Sequence, residues 1–185
     1  MTVRKSLLTT ASSIFLSTCA SSPKYEKTVE YVDMDRFMTK WYVIASRPTF
    51  METGAFNAVE TYTFDKTNKQ IMIGFQFNEN SLDGAVKNIP QFGWIFNEAT
   101  NAHWKVKPTW WWFPFKFDYL VIGLEPNYEW TAIGVPDQKY LWIMANKPNM
   151  SEEKLTEIKQ SLEVNGYDVT KLNRIAHGQP SGNGL

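Results

Sequence analysis

The chain has 185 residues, with 19 basic and 19 acidic side chains, one cysteine and two histidines. That length suits one domain whose core rests on packing alone, because the lone Cys19 excludes an intramolecular disulfide and one Cys with two His argues against a zinc site. Balanced charge argues against a nucleic-acid binder or a polybasic membrane patch, whereas eight Trp, eight Tyr and twelve Phe need a core, a cavity or a lipid surface to face.

Residues 1–18 carry Arg4 and Lys5, then a mildly apolar run from Leu7 to Leu16. This is the layout of a secretory signal, and the run is too short and too rich in Ser and Thr for a transmembrane helix. Leu16-Ser17-Thr18-Cys19 resembles the bacterial lipobox, in which the cysteine is lipidated and becomes the new N-terminus. Thr18 departs from that pattern, which has a smaller residue there. On this reading Cys19 is the lipidation site, residues 19–30 form a flexible tether, and more than one attached acyl chain anchors the protein to a membrane. Ala20 is not the Asp that the resemblance associates with inner-membrane retention, so the expected address is the outer membrane, on its periplasmic face. An ordinary signal peptide with an incidental Cys19 is the alternative. No later segment reaches the roughly 18 apolar residues of a spanning helix.

From Trp41 onward the chain alternates in short runs bounded by turn residues. The expected strands are 41–47, 57–64, 70–78, 85–97 with a bend near Pro90, 101–107, 117–124, 130–135 and 139–145. In the second, Ala58, Glu60, Tyr62 and Phe64 share a face. Eight strands at even spacing predict an all-β barrel or sandwich. One helix follows. Ser151 starts it, Glu152 and Glu153 occupy its first turn where the dipole favours negative charge, Leu155, Ile158 and Leu162 form an apolar stripe, and Gly166 stops it. The last strand offers that stripe a partner, because it is apolar on both faces: Tyr140, Trp142 and Met144 on one, Leu141 and Ile143 on the other.

The segments Asp35-Arg36-Phe37-Met38-Thr39-Lys40-Trp41-Tyr42, Phe117-Asp118-Tyr119, Tyr140-Leu141-Trp142-Ile143-Met144 and Asn165-Gly166-Tyr167-Asp168 occur in an order and spacing that resemble the lipocalins, specifically the bacterial outer-membrane lipoprotein lipocalins related to apolipoprotein D. The resemblance covers roughly residues 30 to 175. It departs at Thr39, where the family has Gly, and at Asn146, where the family has an Arg stacked over the signature Trp. The resemblance implies an eight-stranded antiparallel up-and-down barrel with one C-terminal helix packed outside, spanning 31–176, and a disordered tail from 177 to 185. It implies Trp41 at the barrel floor, and a fatty acid or lysophospholipid as ligand. A homodimer is admitted as a further partner.

By parity the cavity-lining set is Trp142, Tyr140, Met144, Phe75, Phe77, Trp94, Phe96, Tyr119 and Val121, with the resemblance agreeing at Trp142 and ordinary barrel packing as the alternative for each. The run Pro108-Thr109-Trp110-Trp111-Trp112-Phe113-Pro114-Phe115 has two readings. It is a buried strand, or it forms with Phe50 and Met51 an aromatic rim at the mouth that enters a lipid headgroup layer. Arg47 and Lys116 are either solvated charges or contacts for an anionic headgroup. No Gly-x-Ser-x-Gly, His-Glu-x-x-His, P-loop or Rossmann pattern occurs. The expectation is therefore a binding protein with no catalytic residues, no metal and no cofactor. A structural envelope lipoprotein and a lipocalin-type enzyme are the alternatives.

Overall fold

A computed structural model of the protein describes residues 27–178. Cys19, the signal segment and most of the expected tail lie outside the described residues. A four-residue helix α1 (Met34–Phe37) leads into strand β1 (Lys40–Arg47) and a 3-10 turn (Phe50–Glu52). Strands β2 (Ala55–Asp65), β3 (Gln70–Glu79), β4 (Val86–Ile95), β5 (His103–Pro108), β6 (Phe117–Leu124), β7 (Trp130–Gly134) and β8 (Leu141–Ala145) follow, then helix α2 (Glu152–Val164) and a short strand β9 (Asn173–Arg174).

Each of β1 to β7 pairs antiparallel with the next, and β8 pairs back with β1. The sheet is thus closed into an eight-stranded barrel with no free edge. The added strand β9 pairs with β1 at Ala45 and Ser46, beside a register shift between Val43 and Ala45. The expected strands all form, with ends displaced by a few residues.

Alternation drives the closure. Along β3, Ile71, Ile73, Phe75 and Phe77 are buried while Met72, Gly74 and Gln76 face out. Strand β8 is buried at all five positions. Its Trp142 and Met144 join the interior cluster, and its Leu141 and Ile143 join a second cluster under α2. Leu155, Ile158 and Leu162 of α2 are almost wholly buried there. The Ser151 side chain caps the helix by accepting from the Lys154 backbone N–H at 3.2 Å. Gly166, at φ 90°, takes the left-handed conformation that ends it. The helix lies close to the sheet at Gly123, where a Cβ would come within 3.0 Å of the Trp130 ring and 3.3 Å of Leu162.

The floor is a packed aromatic block. Trp41 and Trp104 are fully buried, and Phe37 lies 5.3 Å from each ring. The Trp41 indole donates to the Phe37 carbonyl at 3.0 Å. The cation in this neighbourhood is Arg36, seated 4.1 Å over Tyr128, and Asn146 donates to the Tyr128 carbonyl at 3.4 Å. Thr39 keeps a negative φ, so the backbone at the family's glycine position needs no glycine.

Candidate ligand-binding site

Above this floor the barrel encloses a cavity of about 450 Å³, open at one end. Its walls are Ile73 and Phe75 of β3, Ile89 and Gln91 of β4, Val106 of β5, Tyr119 of β6 and Trp142 of β8. The mouth is ringed by Phe50, Met51, Pro108, Lys116, Phe117, Val135, Pro136, Lys139 and Tyr140. That volume lies within the range of about 300–1,000 Å³ typical of small-molecule sites, and the mostly apolar lining is typical too.

Of the residues predicted to line the cavity, Trp142, Tyr140, Phe75 and Tyr119 face it. Phe77, Met144 and Val121 are buried in the same interior cluster but do not reach the open space. Met144 and Val121 lie nearer the floor, and Phe77 packs on Phe75 with ring centres 5.3 Å apart. Trp94 and Phe96 are corrected. The inward position on β4 is Gly93, which packs against Ile71 and Val106, so Trp94 stands on the outer wall with Phe92. Phe96 lies beyond the strand end, exposed, against His103 and Lys105.

The aromatic run is a loop, not a buried strand. Only Pro108 belongs to β5, and a turn closes between Trp110 and Phe113. Trp110 is partly buried against the barrel interior and stacks on Trp112 at 5.5 Å. Phe113 contacts Trp110, Trp112, Phe115 and Phe117 edge-on or tilted. The outer faces stay in solvent: Trp111 is 93% exposed and Trp112 61%, and Phe50, across the mouth, is 84% exposed.

The two basic residues considered for the mouth separate. Lys116 lies at the rim with its ammonium 3.9 Å over the Trp94 ring. Arg47 is a structural clamp. It donates to the carbonyls of Gln138, Lys139, Asp168 and Thr170 and pairs with the Asp168 carboxylate at 3.1 Å, tying the segment after α2 to the β7–β8 loop.

A polar cluster missed by the sequence reading lies inside the lumen. Glu60 is buried on the inner face of β2. The Tyr62 phenol donates to its Oε2, and the Tyr119 phenol, hydrogen-bonded to that of Tyr62, lies 3.4 Å from the same oxygen. Glu52, from the 3-10 turn, accepts from the Trp142 indole N–H at 2.7 Å and from the Thr49 hydroxyl at 2.8 Å. Burial raises Glu60 from the ordinary carboxyl value of 4.5 to about 8, with the nearby Glu52 adding to the rise. Burial also raises Glu52, against the hydrogen bonds from Trp142 and Thr49. Tyr119 is pushed well above the usual phenol value by burial and by Glu60. Tyr119 also stacks flat on Trp104, with ring centres 5.2 Å apart. Tyr62 shares the parity of Ala58 and Glu60, so alternation alone could have nominated it. Glu52 sits in a loop, where no period marks it.

Asp118 has the base partner that the sequence did not reveal. It accepts from Lys105 and lies 2.6 Å from His103 Nε2. Burial pushes its carboxyl up, but these partners outweigh that and hold it below the usual range. The pairing links β5 and β6 across the wall. Among the described residues no group of three or more His, Cys, Asp and Glu is placed to hold a metal ion, and no helix is long and apolar enough to cross a membrane.

Residues 32–177 match the family model of the lipocalin-like domain. The chain is 28% identical to temperature-induced lipocalin-1 of Arabidopsis thaliana, covering 82% of each chain. It is also 28% identical to the outer membrane lipoprotein Blc of Escherichia coli, covering 90% of this chain and 93% of that one. Insecticyanin of the tobacco hornworm Manduca sexta has the same fold, with a TM-score of 0.64 at 16% identity, over 85% of this chain and 88% of the other.

Proposed function

This chain belongs to the lipocalin-like family, whose members bind small hydrophobic molecules, and we propose that it carries a single-chain amphiphile, a fatty acid or lysophospholipid, at the bacterial outer membrane. The observation that carries the reading is the open cavity of about 450 Å³ walled by Ile73, Phe75, Ile89, Val106 and Trp142. Burying an acyl chain there gains about 0.8 kcal/mol per CH₂. Ordering the chain and losing its free motion offset part of that gain. Lys116 and Lys139 stand at the mouth, where an anionic headgroup would remain in water. Lipocalins are in general binding and transport proteins, and this reading is a carrier rather than an enzyme.

The rim favours loading from a membrane. Trp111, Trp112, Phe115, Phe117 and Phe50 are exposed around one opening, and amphipathic rings of this kind partition into the headgroup layer. A lipidated Cys19 fits that orientation. Lys27 bonds to Asn165, and its carbonyl accepts from Tyr167, at the C-terminal end of α2. That end meets the mouth loop through Gln138, which accepts from the Asp168 backbone at 2.7 Å. The eight peptide steps from Cys19 to Lys27 reach at most about 29 Å when fully extended. An anchor at Cys19 is therefore compatible with a mouth that faces the bilayer.

Titration of tryptophan emission with a free fatty acid and with a lysophospholipid tests the carrier reading, since Trp142 lines the cavity. Saturable change with either supports it, and no change with both removes it. Replacing Trp110, Trp111 and Trp112 by Ser should weaken liposome binding and slow uptake from vesicles. Unchanged behaviour in both assays would overturn the rim.

A further inference from the structure

We propose that the carboxyls of Glu52 and Glu60 form a polar subsite within the lumen that takes a protonated primary amine, so that the carrier accepts a cationic amphiphile as a further ligand class. This subsite rests on the lumen being the ligand site, and it assigns the chemistry of the ligand's buried end.

Glu60 is only 6% exposed, yet its hydrogen bonding is incomplete. Both phenols address Oε2, and Oε1 accepts no hydrogen bond among the described residues and opens onto the cavity. Glu52 stands close enough for its charge to act on Glu60. Its two oxygens each accept one bond, from Thr49 and Trp142, and a carboxylate can accept more. Among the described residues no Lys, Arg or His nitrogen lies within ion-pair distance of either carboxyl. The lysines at the mouth are engaged elsewhere: Lys139 pairs with Asp137 and Lys116 sits over Trp94.

Two buried carboxyls without a counterion are costly to ionise together. A ligand ammonium supplies the missing charge, and its N–H donors match the open acceptor on Glu60 and the remaining lone pairs on Glu52. The rings of Phe75, Tyr119 and Trp142 line the same space and favour a cation near their faces. A carboxylate ligand supplies no counter-charge that would let these carboxyls ionise. A fatty acid must therefore keep its charged end at the mouth, with its methyl end against a polar surface.

The test is isothermal titration of the full chain at pH 7 with dodecylamine, dodecanol and dodecanoate, each below its micelle concentration. The amine should bind at least tenfold tighter than the alcohol, and dodecanoate should bind no tighter than the alcohol. Glu60→Gln should cut amine affinity at least tenfold and lower alcohol affinity by much less. Glu52→Gln, which keeps an acceptor for Trp142, should act in the same direction. Binding of the alcohol and dodecanoate with no advantage for the amine, or an amine affinity unmoved by both variants, overturns the subsite and leaves the carrier reading intact. Failure of all three chains to bind overturns both.

Discussion

Replacing Glu60 by Gln should change how stability depends on pH more than any other single substitution in the barrel. The carboxyl is buried and held near 8, against 4.5 in an exposed chain. Below pH 4.5 folded and unfolded chains both carry the proton, and the group adds no pH dependence. Above 4.5 the unfolded chain releases the proton while the folded chain keeps it until about pH 8. Stability therefore falls across that window and then levels off. At 1.36 kcal/mol per pH unit the full loss is roughly 5 kcal/mol, of which about 3 has accrued by pH 7. The glutamine amide keeps an acceptor for the two phenols and has no proton to release, so the loss disappears. Glu52 is held up by its own burial in both proteins, and because it is coupled to Glu60 the difference reports the pair. Asp118 and Asp168, whose lowered values act only as pH falls below the ordinary carboxyl range, and His177, lowered by burial and acting below its ordinary 6.5, cancel in the difference. Urea unfolding followed by far-ultraviolet circular dichroism, at half-unit steps from pH 4.5 to 9, gives the two curves. The stability of the variant relative to the parent should rise by several kcal/mol from pH 4.5 to 8 and flatten beyond. A difference that stays within about 1 kcal/mol over that range would refute the assignment of a buried neutral carboxyl.

Trp104→Ala removes a wholly buried ring that contacts Phe37, Tyr62 and Tyr119, and should cost about 3–5 kcal/mol in urea unfolding. Arg47→Ala leaves the carbonyls of Gln138, Lys139, Asp168 and Thr170 without their donor. Those groups are partly solvated, so the expected cost is on the order of 2 kcal/mol, with faster amide exchange confined to 136–140 and 167–171. Cys19→Ser should move the protein from the membrane fraction to the soluble fraction of fractionated cells. Retention in the membrane fraction would show that Cys19 is not the anchor.

The parts of the fold legible in the sequence are those with a strong period. Strand β3 alternates without a break, and α2 carries its stripe at Leu155, Ile158 and Leu162, so both stand where the pattern puts them. Where the sequence misled, an inward position carried little side chain. On β4 the lumen side at Gly93 has no hydrophobic signal, and the large rings of Trp94 on the outer wall and Phe96 beyond the strand end took the inward reading. Two residues of β9 are too few for any period to show, and that strand depends on Ala45 and Ser46 of β1, beyond the Lys40–Tyr42 stretch that pairs with β2. The candidate site was legible only on its apolar side. Phe75, Tyr119, Tyr140 and Trp142 follow from parity, whereas the carboxyl of Glu52 reaches the lumen by way of a 3-10 turn that brings loop backbone over the mouth. The left-handed conformations at Asn57, Asn80, Tyr128 and Gln138, most of them in connections, were likewise invisible to alternation.

Native mass spectrometry of the protein, released from membranes in mild detergent, tests the central claim most directly. One small amphiphile per barrel is expected, lost when Trp142 and Phe75 are both replaced by smaller side chains. A barrel that is empty as isolated and gains no mass on exposure to fatty acid, lysophospholipid or long-chain amine would contradict it.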